Sequence, residues 1–333
     1  MFLADLPTPA LVVDTAALGH NLASMAAALP GARLRPHVKA HKCTKLAALQ
    51  ARHGHHGFTC ATPREMVGLA AAGLGDDLLL ANESLDPARL RRLAELDASV
   101  TIAVDSNETI EAAAKAGLRA VLIDVEVGLP RCGCAAEDAA RLADLARRSG
   151  LQVRGVMGYE GHAVGLDDRQ RRSDETGHAM QKLLAAHAEV GGEMISAGGT
   201  GTFDLNPWAT EIQAGSYALM DTAYGRLGLP FLPALFVLAT VVSASKTWTV
   251  ADCGLKSLGM DHGNPRIEGS SVWFCSDEHT TFAADEGRAP PRVGDRIRVW
   301  PAHVDPTIAY HESLHLLDGE RIVEVWPIDL RGW

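Results

Sequence analysis

A (β/α)8 barrel followed by an all-β domain is the fold the sequence predicts, and three observations carry that expectation. From residue 33 to about residue 215, short β-branched runs alternate with Ala/Leu-rich amphipathic stretches, the pattern of parallel strands covered by helices. After Pro230 the apolar residues recur at every second position, as in half-buried antiparallel strands. A further strand, PALVVD, lies ahead of the first barrel strand.

The barrel strands are expected at 33–38 (RLRPHV), 57–61 (GFTCA), 77–81 (DLLLA), 100–104 (VTIAV), 120–125 (AVLIDV), 152–158 (QVRGVMG), 194–197 (MISA) and 211–214 (EIQA). Between them lie helical patterns such as ESLDPARLRRLAEL, where Asp86 suits an N-cap and Pro87 the first helical position. The later strands are read in VVSASKTWTVAD, SSVWFCSDEHTTF, RVGDRIRVWP and LHLLDGERIVEVWPI, with Asp318 and Gly319 as a hairpin turn. The early strand is most economically paired with them. Residues 15–230 are therefore expected to form the barrel, and 1–14 with 231–333 the β domain.

Among 333 residues, 47% are hydrophobic and 22% charged, a composition that excludes a disordered chain. The net charge of −10 leaves no basic footprint for nucleic acid or anionic lipid. No run approaches the ~18 apolar residues of a membrane span, and the first residues lack the pattern of a signal peptide; a cytoplasmic protein is expected. Six cysteines are scattered, and the one close pair, Cys132 and Cys134, lacks the second pair of a structural zinc site. Reduced thiols are the default.

In such a barrel, reactive side chains sit at the C-terminal strand ends. Those positions hold Lys39, Thr62, Asn82, Asp105, Arg131, Tyr159 with His162, the loop Gly198, Gly199, Thr200, Gly201 and Thr202, and then Gly215 and Ser216. The last two groups follow strands 7 and 8, where a phosphate usually binds and unobstructed backbone N–H groups close on its oxygens. Neither a dinucleotide nor a Walker glycine pattern is present. Lys39, in RPHVKAHK beside Arg35 and Lys42, is placed to form a Schiff base with an aldehyde. With a phosphate seat, this suggests pyridoxal phosphate.

The segment from His311 to His315 reads H-E-x-x-H, which on a helix would bind zinc. Its flanks read as strand, where positions four apart lie ~13 Å from each other, too far for one ion. His303 and Asp305, two apart in PAHVDPT, would in a strand share a face at ~6.6 Å and converge on a divalent ion of the manganese, magnesium or zinc kind. Each feature alone has a plain structural reading: a tight turn for the glycines, a solvated rim for the lysine, surface alternation for the histidine and aspartate.

Together RPHVKAHK, GYEGH and PAHVDPT, with DLPTPALVVD, SAGGTGTF, AGSYALMD and DCGLKSLGMD, make the whole chain resemble the family of D-threonine aldolase and eukaryotic-type D-serine dehydratase. These are fold type III pyridoxal phosphate enzymes related to alanine racemase. The resemblance implies an alanine-racemase-like barrel plus β domain, a homodimer, and Lys39 as the Schiff-base lysine. It places cofactor contacts on Arg131, Tyr159, Thr200, Gly215 and Ser216, beside Gly199 and Gly201 of the glycine loop, with Arg131 near the cofactor's phenolic oxygen. It places the metal ligands on His303 and Asp305. Dehydratases of the family carry Cys at the second ligand position and aldolases Asp, so Asp305 favours cleavage. The dehydratases also place a tyrosine soon after their G-H segment, whereas AVGLDD follows His162 here.

The expected reaction is cleavage of D-threonine or a related D-3-hydroxy amino acid to glycine and an aldehyde. Manganese is the first choice of ion, before magnesium, cobalt or zinc. His162 or a metal-bound water would take the hydroxyl proton, and Asp277 in CSDEHTTF would orient the metal's waters or the base. The alternatives are a D-serine or D-3-hydroxyaspartate dehydratase of the same fold and a non-catalytic pyridoxal phosphate carrier; a carrier needs neither the β domain nor a metal.

Overall fold

The computed structural model describes all residues, Met1–Trp333. Seven parallel strands run in sequential order: β2 (Gly57–Cys60), β3 (Asp77–Leu80), β4 (Val100–Val104), β5 (Ala120–Asp124), β6 (Gln152–Met157), β7 (Met194–Ala197) and β8 (Glu211–Ile212). Each lies almost wholly in the interior, which explains the near-continuous apolar runs. Ahead of β2 runs α2 (Thr44–Arg52), and between the strands run α3 (Pro63–Ala71), α4 (Pro87–Ala94), α5 (Asn107–Ala116), α6 (Ala139–Arg148) and α7 (Arg169–Val190). Asp86 caps α4 through the N–H groups of Ala88 and Arg89. Leu79, Ala103, Leu122, Met157 and Met194 form a buried layer across five strands.

The expected first strand takes a different form. Residues 34–37 make only isolated parallel bridges, Leu34 to Ile212 and His37 to Thr59. Their backbone nonetheless bonds on both sides: Arg35 N–H to Ile212 C=O, His37 N–H to Ala214 C=O, and Thr59 N–H to Pro36 C=O. This segment closes the barrel between β8 and β2. It is irregular because Pro36 has no N–H to give and fixes φ, and because the chain then turns into a 3-10 helix at Val38–Ala40.

The N-terminal end of the barrel is filled with charge. Arg35 is directed there, not toward Lys39 as the sequence suggested: its Nε bonds both oxygens of Glu211 at 2.8 Å, and its Nη2 pairs with Asp77. Arg154 joins this group by reaching Asp77 and the Thr101 hydroxyl. The β5–β6 register slips so that Val153 and Gly155, but not Arg154, find partners; this bulge turns the arginine to the network. A Cβ on Gly155 would lie 2.0 Å from the Met194 carbonyl oxygen, so only glycine fits.

The other nine strands are β1 (Ala10–Asp14), β9 (Leu235–Ala244), β10 (Thr249–Ala251), β11 (Arg266–Ile267), β12 (Ser270–Cys275), β13 (Thr280–Ala284), β14 (Arg296–Trp300), β15 (Ser313–Asp318) and β16 (Arg321–Pro327). Their order is β10-β13-β12-β11-β14-β9-β1-β15-β16, and β10 also pairs with β9, so six of them close into a small antiparallel barrel. β1 runs antiparallel to β9 and parallel to β15. Its residues join Leu3, Leu6, Phe236, Leu238 and Leu317 in one core.

Two compact units result: Met1–Ser24, Ala40–Cys43 and Ser216–Asp329 form one; Met25–Lys39, Thr44–Gly215 and Leu330–Trp333 form the other. The Asn21 side chain, on α1 (Thr15–Ala28), bonds the carbonyls of Ala218 and Leu232 and accepts the Leu232 N–H. Ala234 and Leu235 both donate to the Leu219 carbonyl. These bonds bind 216–230 to β9.

A second departure concerns PAHVDPT and the TIAY within it and after it. They form a helix, α9 (Val304–Tyr310), rather than strand, with His303 as N-cap. Asp305 and Pro306 fill its first turn, where an acid meets the helix dipole and a proline loses no hydrogen bond. The remote carboxylate of Asp221 accepts the Val304 N–H at 3.0 Å.

Candidate functional site

Lys39 sits half-buried on the 3-10 turn after the closing segment. Tyr159, Glu160 and His162 follow β6, and the Arg131 guanidinium lies 5.4 Å from the Tyr159 ring centroid. The ring of His162 rests against Gly128, on which a Cβ would fall 2.4 Å from its Cε1. His162 Nδ1 is shielded from solvent and has no hydrogen-bond partner.

After β7, residues 198–202 form a closed turn: Gly199 N–H donates to the Thr202 hydroxyl and Thr202 N–H to the Gly199 carbonyl, both at 3.2 Å. Thr200 is 2% exposed, and Gly215 and Ser216 after β8 are buried. This donor set fits pyridoxal phosphate: a primary amine for an aldehyde, hydroxyls and glycine backbone for a phosphate. The carboxylate of Glu160 accepts donors from the loop itself and from Asn206.

Other strand-end residues prove structural. Thr62 and Glu65 form the capping box of α3, Asn82 bonds the Ala61 carbonyl, and Asp105 accepts the Gly133 N–H. At the end of β5, burial and then the adjacent Glu83 push the Asp124 carboxyl well above its ordinary range. Burial, with Glu83 next, raises the Cys132 thiol to about 11, and burial with Asp124 raises Cys134 to about 12. None of the six cysteines is in a disulfide.

The other polar group is built on α9. His303 Nδ1 lies 2.6 Å from Asp261 Oδ2, and its Nε2 4.0 Å from Asp305 Oδ1. The extended N-cap and the first helical turn, rather than a strand, present this pair. Two donors each ~2.1 Å from one ion span such a gap, so an imidazole and a carboxylate stand in a set that fits a divalent cation. The His262 ring stacks on His303 at 4.0 Å, and ligand atoms of Asp261, His262 and His303 lie within 4.8 Å of one another. The bridge between Gly259 and His303, with Gly259 N–H bonded to the Thr307 hydroxyl, holds the two segments together. Burial pushes the Asp261 carboxyl up, but its bond to His303 and the charge of that ring outweigh this and leave it below its ordinary value.

Two further expectations meet the structure here. Asp277 is exposed, lies 3.8 Å from Lys256, and is not brought to the His303 group. His311 Nε2 bonds the Ser257 carbonyl and His315 Nδ1 the Leu11 carbonyl; one closes α9, the other lies on β15, and neither joins the cluster. Sequence reading passed over Glu160, Asp221, Asp261 and His262. The only signals were the unused glutamate of GYEGH and the charged pair ending SLGMDH.

The alanine racemase N-terminal domain family matches residues 13–223 and a serine dehydratase domain family residues 234–317. A barrel with a lysine and a glycine turn at its strand ends, carried with a β-barrel unit, thus defines an alanine-racemase-like protein of fold type III. The sequence is 34% identical to D-threonine aldolase from Arthrobacter sp, across 99% of this chain and 94% of that protein. It is 32% identical to 3-hydroxy-D-aspartate aldolase from Paracoccus denitrificans, across 99% and 93%. The solved structure of D-threonine aldolase from Filomicrobium marinum superposes with a TM-score of 0.93 at 32% identity, covering 99% of this chain and 97% of that one. The chain belongs to the D-threonine aldolase and D-serine dehydratase family of pyridoxal phosphate enzymes.

Proposed function

We propose that the protein is a pyridoxal phosphate and divalent-metal-dependent lyase that cleaves D-threonine, or a related D-3-hydroxy amino acid, to glycine and an aldehyde. The observation that carries this reading is the pair of His303 Nε2 and Asp305 Oδ1 at 4.0 Å. An oxygen ligand at position 305 suits a hard ion held on a substrate hydroxyl, where a thiolate would select a softer one. The relatives that share the chain's full length include two aldolases of D-3-hydroxy amino acids.

When bound, the cofactor supplies an electron sink at Cα and the ion Lewis acidity at the β-hydroxyl. Lys39 holds the cofactor's aldehyde through its amine. Gly199, Thr200, Gly201, Gly215 and Ser216 bind the phosphate with N–H and O–H donors. Arg131, stacked over Tyr159, would supply a positive charge to the cofactor's phenolic oxygen. His303 and Asp305 hold the ion. His162 accepts the hydroxyl proton at Nδ1, the atom that has no partner within the fold. Manganese is the ion of this reading, the homodimer its assembly and the cytoplasm its setting, in keeping with six cysteines outside disulfides.

The test is product analysis with D-threonine, pyridoxal phosphate and manganese. Acetaldehyde with glycine is expected. Release of 2-oxobutyrate and ammonia at the higher rate would replace the aldolase with a dehydratase and leave the fold and Lys39 untouched.

A further inference from the structure

Glu160 has no exposed surface, and its carboxylate is met by no cation. One oxygen accepts the Gly198 N–H at 3.1 Å; the other accepts the Thr202 hydroxyl at 2.8 Å and the Asn206 amide at 3.4 Å. Taking a carboxylate out of water costs several kcal/mol, and a neutral packing residue would avoid that cost. The three donors come from one place: the two ends of the glycine turn after β7 and the segment that follows it. Glu160 itself stands between Tyr159 and His162. Its own carbonyl accepts the N–H groups of Ala163 and Val164, which shapes the turn after β6. That turn packs backbone to backbone on the glycine loop, for a Cβ on Gly201 would fall 1.8 Å from the Val164 carbonyl oxygen.

We infer that Glu160 is a positioning residue: its carboxylate fixes the curvature of the 198–202 turn and so sets the seat for the cofactor's phosphate. The inference rests on the pyridoxal phosphate reading of this site. The carboxylate grips the turn at Gly198 and Thr202, leaving Gly199, Thr200 and Gly201 as the crest between two fixed ends. A charged acceptor makes these bonds stronger and shorter than a neutral one, which suits a loop that must hold its shape beneath a dianion.

The experiment compares two ligands that differ by the phosphate alone. Pyridoxal phosphate and pyridoxal are titrated into the full-length apoprotein of the wild type, Glu160→Gln and Thr202→Val, with binding read by absorbance. Glu160→Gln keeps the shape but replaces one acceptor by an NH2 group that faces donors. Thr202→Val removes, at constant volume, both the hydroxyl donor to Glu160 and the acceptor of the Gly199 N–H. Wild type is expected to prefer pyridoxal phosphate strongly. Both variants are expected to lose on the order of tenfold in affinity for it while binding pyridoxal within twofold of wild type. Equal losses for both ligands would show a general structural role and overturn the inference, as would unchanged affinity for pyridoxal phosphate. A wild type that does not distinguish the two ligands would overturn the cofactor reading as well. Thr202→Val carries the test if Glu160→Gln does not fold.

Discussion

His303 turns its two ring nitrogens to two different carboxylates: Nδ1 donates to Asp261 at 2.6 Å, and Nε2 faces Asp305 at 4.0 Å. The first contact fixes the tautomer, so that the lone pair lies on the nitrogen directed at Asp305. Asp261→Asn is therefore expected to lower manganese affinity 10- to 100-fold, read by titration followed with electron paramagnetic resonance. Affinity within twofold of wild type would show that the ring needs no such partner.

His303→Ala and Asp305→Ala are expected to abolish turnover while leaving pyridoxal phosphate binding intact, since neither residue is assigned to the cofactor. Exhaustive chelation should have the same effect on the wild type, reversed by added divalent ion. Full activity after chelation would remove the metal from the reaction.

Borohydride reduction of the loaded protein, followed by peptide mapping, is expected to leave the pyridoxyl mass on Lys39. Finding it on Lys42 or Lys45 would move the covalent attachment along the turn.

Gly128 adopts φ +140° and leaves no room between its α-carbon and the His162 ring. A methyl there must displace the imidazole, and an ångström of misplacement at a proton acceptor costs about 10²-fold in rate. Gly128→Ala is expected to lose that much kcat in D-threonine cleavage with cofactor affinity retained. Unaltered kcat would count against His162 as the base.

The charged end of the barrel predicts a pH dependence. Burial pushes Asp77 up, but Arg35 and Arg154 outweigh it and hold the carboxyl below its ordinary 3.8. A carboxylate depressed on folding stabilises the native state above its unfolded value of about 3.9, and that contribution fades as pH falls toward the folded one. Urea denaturation should show Asp77→Asn losing about 2 kcal/mol at pH 7, within the range for hydrogen bonds to charged groups, because the carboxylate is only partly buried and Arg35 keeps Glu211. The deficit should shrink at pH 3. A deficit independent of pH would mean that packing, not charge, is lost.

How far the sequence disclosed this molecule depends on how local each signal is. Strands buried on both faces write themselves as apolar runs, so β2 to β8 were legible. The closing segment was legible as extended chain but not as irregular, because the effect of Pro36 depends on which neighbours would have received its N–H. TIAY reads as strand because Thr and Ile favour one; α9 forms through a cap from Asp221, far away in sequence. Lys39, His303 and Asp305 stood out through motif spacing. Glu160 and Asp261 did not, since their partners lie 38 to 46 positions away and a single acid in a loop carries no spacing. Asp277 shows the converse: an acid in a suggestive stretch that faces solvent.

The pairing of Ala10 with Leu238 also has a meaning in time. At about 5–20 residues per second, β9 leaves the ribosome roughly 10–50 s after β1, and β15 later still. For that interval ALVVD is an apolar strand with both edges open, the kind of segment that recruits other chains. A strand made early is satisfied only by strands made late, and the yield of folded protein should depend on what shields it while it waits.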